Sequence, residues 1–194
     1  MAAFPTITPS SFNLVSVNPT RITSATLNGI EQRSSGTGQY YRITATYTAL
    51  SQAQIRQIMA HVAQHSGPLD SFTFELPSYY GTITGNGTSM GSNQTRAVGA
   101  TSSTITIGAG SQPVMKAGDL FKFASHDKIY QIITDTSTTS ISFRPALRTA
   151  HTSSSALTTT GLSMTVRYAT DNTEFAINTD LFSNLTLEFI EVLS

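Results

Sequence analysis

The chain has no cysteine and no tryptophan. Without thiols there can be no disulfide and no thiolate metal site, and the redox state of a compartment leaves no mark on the sequence. Charge is scarce as well. Charged residues make up 11% of the 194, eleven basic against eleven acidic, for a formal net charge of zero; an ordinary globular chain carries about 25%. Nothing concentrates positive charge against phosphates, which argues against a nucleic-acid binder. No apolar run approaches the roughly 20 residues needed to span a bilayer. Met1 to Ser11 has neither a basic residue nor an apolar run, so it does not read as a secretory signal. What is abundant is hydroxyl: Ser and Thr together supply about 29% of the chain. Threonine suits a pleated, half-buried strand. Aromatic and β-branched residues run throughout, so this is not a highly charged disordered chain. A neutral surface with weak colloidal repulsion also favours association.

The length suits one domain or two small ones. In the first third, Phe12 to Val17 alternates and stops at Asn18-Pro19, a strand. Arg21 to Leu27 is expected to pair with it, closed by Asn28-Gly29. Glu31 to Gly38 reads as a polar, glycine-bearing loop. Tyr40 to Thr48 keeps period two over nine residues, with Tyr41, Ile43, Ala45 and Tyr47 on one face and Tyr40, Arg42, Thr44, Thr46 and Thr48 on the other. A helix follows. Ser51 and Gln54 stand at capping-box spacing, and Ile55, Ile58, Met59 and Val62 form a single apolar stripe. Gly67-Pro68 ends it. Phe72, Phe74 and Leu76 point inward along the next strand, which stops at Pro77.

The composition then shifts. Ser78 to Gly110 is dominated by Gly, Ser, Thr and Asn, with Ile105 to Ile107 as its clearest strand. Asp119 to Ala124, Lys128 to Asp135 and Ser140 to Phe143 follow as short strands with polar turns between them, the pattern of a small β-barrel or sandwich. Thr149 to Gly161 reads as a hydroxyl-rich connection, and Leu162 to Tyr168 and Leu185 to Leu193 as strands. The N-terminal part lacks strands enough to close a sandwich, and the last strands have no partner near them in sequence. The expected organisation is therefore mainly β: a discontinuous β-sandwich domain of residues 1–81 and 161–194 with one packed helix, and an inserted small β-barrel over 82–160.

Catalytic chemistry is thin. Gly87 to Gly91 matches the G-x-S-x-G elbow around Ser89, but the strand before it and the helix after it are missing. Asp119, His126 and Asp127 could meet across a hairpin beside Ser125, yet neighbours in a strand point to opposite faces, so Ser125 to Lys128 reads as a turn. The remaining carboxylates are scattered. His61 and His65 stand four apart on one helix face, a spacing that can hold a metal, but no glutamate of an H-E-x-x-H pattern accompanies them, and they read as half-exposed residues flanking the stripe. The seven tyrosines fit an interface or a core better than a sugar platform, because tryptophan is absent. The residues thus give no catalytic, metal or cofactor site. The competing reading is a glycan-binding or other host-facing β-barrel module.

Two stretches carry a resemblance. Gly36 and Gly38, the aromatic strand Tyr40 to Thr48, Ala49-Leu50-Ser51 leading into a helix, Gly67, and Phe72 to Pro77 resemble the hub domain of distal tail proteins of tailed bacteriophages. Lys116-Ala117-Gly118-Asp119, Lys128 to Ile132, and Phe143-Arg144-Pro145-Ala146-Leu147-Arg148 look like small phage tail-tip proteins. Tyr40-Tyr41 stands where those relatives often have tryptophan. The resemblance implies a virion component without enzymatic activity or cofactor, assembled in the host cytoplasm. It implies a ring, a homohexamer, that joins the tail tube protein to the tail-tip hub and the end of the tape measure, with an OB-like barrel outside the ring. It implies no contact with membrane. A closing ring needs two different patches on each subunit. The segment Glu31 to Gly38, with the face beside it, is expected to pack on the adjacent subunit or to line the lumen: Arg33, Gly36, Gly38, Tyr40, Arg42 and Thr44.

Overall fold

The computed structural model describes residues 3–24, 31–35, 38–80, 99, 102, 104–106, 115–124, 126–136, 140–151, 157–171, 173, 175–177 and 183–192. Among them the fold is mainly β with a single α-helix. The strands are β1 (Ser11–Val17), β2 (Thr20–Ser24), β3 (Glu31–Ser35), β4 (Tyr40–Leu50), β5 (Phe72–Glu75), β6 (Thr104–Thr106), β7 (Leu120–Phe123), β8 (Ile129–Ile132), β9 (Ser140–Arg144), β10 (Leu157–Thr158), β11 (Ser163–Tyr168), β12 (Ala176–Ile177) and β13 (Ser183–Glu191). The helix, α1, is Gln52–Gln64. No helix of the described residues is long and apolar enough to cross a membrane.

The chain divides into two compact units, Met1–Phe72 with Thr165–Ser194, and Thr73–Met164. The sheet that builds the first has the order β1-β4-β13-β11, with β12 on β13. β4 is its spine, antiparallel to β1 and to β13. The alternation of β4 is what buries it: Tyr41, Ile43, Ala45 and Tyr47 are all core residues. The same period on β13 buries Leu185, Leu187 and Phe189, and α1 adds Ile55 and Ile58. On the outer face the abundant hydroxyls pair with one another, Thr46 Oγ1 with Thr186 Oγ1 at 3.3 Å and Ser10 Oγ with Thr48 Oγ1 at 2.6 Å. Such cross-strand pairs stabilise a sheet without needing burial.

β4 ends in a bulge. Its register to β13 shifts between Ser183 and Leu185, and Ala49 there has φ 54. The Ala49 N–H is donated to Asn184 Oδ1 at 3.3 Å. The chain then turns into α1 through the expected capping box, with Ser51 Oγ accepting from Gln54 N and Gln54 Oε1 from Ser51 N.

The second unit holds an antiparallel sheet in the order β10-β7-β8-β9-β6. Its core is aromatic: Phe121, Phe123, Tyr130 and Phe143 meet ring to ring with centroids 5.2–5.8 Å apart. The turn Lys116 to Asp119 is pinned by two carboxylates. Asp119 Oδ2 accepts from Lys116 N at 2.8 Å, and Asp135 accepts from Ala117 N at 3.0 Å and from Lys116 Nζ at 2.7 Å. Gly118 sits there at φ 100, which only glycine adopts cheaply.

Four expectations are corrected. β2 pairs with β3, not with the first strand, whose partner is β4. Glu31 to Ser35 is therefore a strand rather than part of a loop. This two-stranded ribbon is exposed on both faces at Arg21, Ile22, Thr23, Gln32, Arg33 and Ser34, so it has no apolar alternation to betray it. Met59 lies outside the buried stripe of α1, and His61 and His65 take its place. β10 and β12 are two residues each, too short for any periodicity to register. Ile107, Gly36 and the Gly87 to Gly91 elbow lie outside the described residues.

Candidate functional site

The expected contact residues fall on two elements. Tyr40, Arg42 and Thr44 occupy the outer face of β4, where strand pairing fixes their neighbours. Arg42 is in register with Val15 on β1 and Ile190 on β13, Tyr40 with Val17, and Thr44 with Asn13 and Glu188. Residues in register share a face, so the patch is Val15, Val17 and Ile190 around one arginine and one glutamate. Val15 is 40% exposed and Arg42 and Glu188 are exposed. Few charges would need to be stripped of water if this face were covered. Gly38, at φ 107, opens β4, and Gln39 beside it donates from Nε2 to Ser16 Oγ at 2.8 Å. Arg33 is on the separate β2–β3 ribbon, paired in register with Ile22, which is 59% exposed. Isolated two-stranded ribbons are marginal in water.

The residues weighed for catalysis are occupied structurally. The Asp119 carboxylate holds the Lys116 turn. His126 is buried, with Nδ1 2.9 Å from the Tyr130 hydroxyl and Nε2 3.3 Å from Thr149 Oγ1. Burial pushes its pKa down, against the opposing pull of the Ala150 backbone and of Asp127. His151, 6.0 Å from it ring to ring, is pushed down by burial and by His126. Asp127 is aimed at Lys122 Nζ, 3.5 Å away, which also donates to the Ser163 carbonyl. Ser125 and Ser89 lie outside the described residues.

His61 and His65 are not half exposed, as expected, but buried. Their rings stack at 4.2 Å with planes 24° apart. His65 Nδ1 donates to the His61 carbonyl at 2.8 Å, and His61 Nδ1 meets the Tyr168 hydroxyl at 2.9 Å. Stacked rings whose Nδ1 atoms are both engaged do not converge on a cation. Among the described residues no group of three or more His, Asp or Glu side chains forms a metal site. Burial lowers the His61 pKa to about 4, helped by repulsion from His65.

One buried acid escaped the sequence reading. Glu191 continues the inward alternation Leu185, Leu187, Phe189, and its Oε2 accepts from Tyr41 N at 2.9 Å. Burial first, and Glu191 second, raise the Tyr41 phenol pKa. The signal was in the alternation, had the carboxylate been admitted to it.

Residues 85–162 match the family model of the distal tail protein pb9, B domain. The match bears out the resemblance to phage distal tail proteins. No curated protein matches the chain.

Proposed function

We propose, from this likeness to phage distal tail proteins, that the chain is a structural tail protein forming a ring, a homohexamer, between the tail tube and the tail tip or baseplate. The match over residues 85–162 carries the reading. On this reading residues 1–81 and 161–194 form the ring domain, and 82–160 form an inserted, OB-like barrel. The partners are further copies of the chain, the tail tube protein and the tail-tip hub with the tape-measure end, in a virion assembled in the host cytoplasm. The role is mechanical and needs neither catalysis nor a cofactor.

The ring contact is proposed at the outer face of β4, Tyr40, Arg42 and Thr44, with Gly36 and Gly38 before it in the chain and Arg33 on the β2–β3 ribbon. A face that is low in charge and apolar at Val15, Val17 and Ile190 supports this. So does a ribbon that exposes Ile22 on its own. Native mass spectrometry and negative-stain imaging of the purified chain test the proposal. A six-fold ring is expected. A monomer that binds glycans on an array would replace it with the host-facing barrel.

A further inference from the structure

All four histidines of the chain are buried. The pair on α1 sits where an element ends. His61 belongs to the last turn of the helix and His65 is its C-cap. The His65 N–H reaches back to the carbonyls of His61 and Val62, both at 3.2 Å. The last turn of α1 thus meets its sheet through the His61 ring, which lies against Phe72 and reaches the Tyr168 hydroxyl.

The surroundings suit those rings only while His61 is neutral. Facing His61 are Phe4 from the N-terminal segment at 5.1 Å, Phe72 from β5 at 4.7 Å, His65 at 4.2 Å, and Tyr168 from β11. None carries negative charge, and burial raises the Tyr168 pKa, so its hydroxyl stays neutral. Tyr47 on β4 touches Phe4 and is likewise raised by burial. The buried carboxylate of this unit, Glu191, is hydrogen-bonded to Tyr41 N. Asp70 accepts from Ser66 N and Asp171 lies against Gly67, beyond the helix end, and both are exposed. The helix C-terminus itself favours a cation. That pull is weaker than the cost of an imidazolium among phenyl rings, 4.2 Å from a second imidazole. His61 Nε2 is buried without a hydrogen-bond partner, so an added proton there would find no acceptor.

We propose that the His61–His65 stack is an acid-sensitive latch, which holds the C-terminal half of α1 against the sheet and releases it when His61 takes a proton. The proposal is independent of the ring. In the open state His61 meets water and titrates near its ordinary value of 6.5, whereas in the closed state it is depressed to about 4. Closure is therefore fully supported above about pH 6.5 and weakens as pH falls toward 4. By this linkage the opening equilibrium of the helix end rises about 30-fold between pH 8 and pH 5.

Hydrogen exchange of the full chain, corrected for the intrinsic rate at each pH, reads this directly. The peptide covering residues 58–66 should lose protection by about 30-fold between pH 8 and pH 5, ahead of β4. The loss should vanish in His61→Gln and persist in His126→Gln. Flat protection in the native chain, or an unchanged loss in His61→Gln, overturns the latch. If His61→Gln does not fold, NMR titration of the His61 ring in the native chain decides instead. A midpoint below about 5.5 supports the latch, and one at or above it overturns the latch.

Discussion

Glu191 occupies a position that alternation assigns to the core, and it is tolerated because its carboxylate accepts the Tyr41 N–H at 2.9 Å. A buried amide left without an acceptor costs about 1–3 kcal/mol. Glu191→Leu should therefore destabilise the chain by about that much in urea denaturation, although it makes the face more apolar. Glu191→Gln keeps an acceptor and should cost less. Ala49 gives the opposite sign. At φ 54 its Cβ crowds the backbone, a strain of roughly 1–2 kcal/mol that glycine lacks. Ala49→Gly should raise the denaturation midpoint, with a gain of up to about 1 kcal/mol after the extra entropy of the unfolded chain. Neither residue stood out in the sequence. A lone glutamate in an apolar alternation looks like an exception, and a positive φ at alanine has no compositional sign.

At the scale of elements, α1 tests the burial pattern. Ile58 is fully buried and Met59 is 42% exposed. Ile58→Ala should cost about 2–5 kcal/mol, as large core truncations do, and Met59→Ala should stay within about 0.5 kcal/mol. Equal effects would mean that the stripe faces something other than this core. Gly67 closes the helix region at φ 59, and a Cβ there would stand 2.9 Å from Asp171 Oδ1 and 3.3 Å from Asp171 Cα. Gly67→Ala meets both backbone strain and a collision, and thermal melts should show a loss of at least about 1 kcal/mol. The helix start was legible because a capping box is local chemistry, whereas the stop comes at Gln64 with His65 as its cap, ahead of the Gly67-Pro68 pair expected to end it. The side that the histidines take was not legible. A histidine beside an apolar stripe is drawn inside only if a partner such as the Tyr168 hydroxyl waits there, and that partner is 107 positions away in sequence.

For the whole molecule, two outcomes separate the proposed organisation from its rivals. Replacing residues 82–160 with a short Gly/Ser linker should leave a folded remainder, because the β1–β4 and β4–β13 pairings involve no residue of that segment. Circular dichroism of an unfolded product would end the discontinuous-domain reading. Cutting inside Thr149 to Gly161 instead should fail, since β10 pairs with β7 there and buries Leu157. Arg42→Glu together with Gly36→Pro should yield folded monomers on sizing. An intact oligomer from that double variant would remove the β4 face and its leading segment from the proposed contact.

The sequence by itself determined what short-range physics encodes. The mainly β character, the period-two faces of β1, β4 and β13, the capped helix, and the aromatic strands of the second unit all follow from alternation, capping and turn residues within a few positions of one another. Tertiary structure alone decided what depends on distant partners. It paired β2 with β3, turned a polar stretch into a strand, drew His61 and His65 inward, and gave Glu191 an amide 150 positions away. Strand pairing and the burial of polar groups are settled by which donors and acceptors meet in space. Two segments that are far apart in sequence carry no local trace of that meeting.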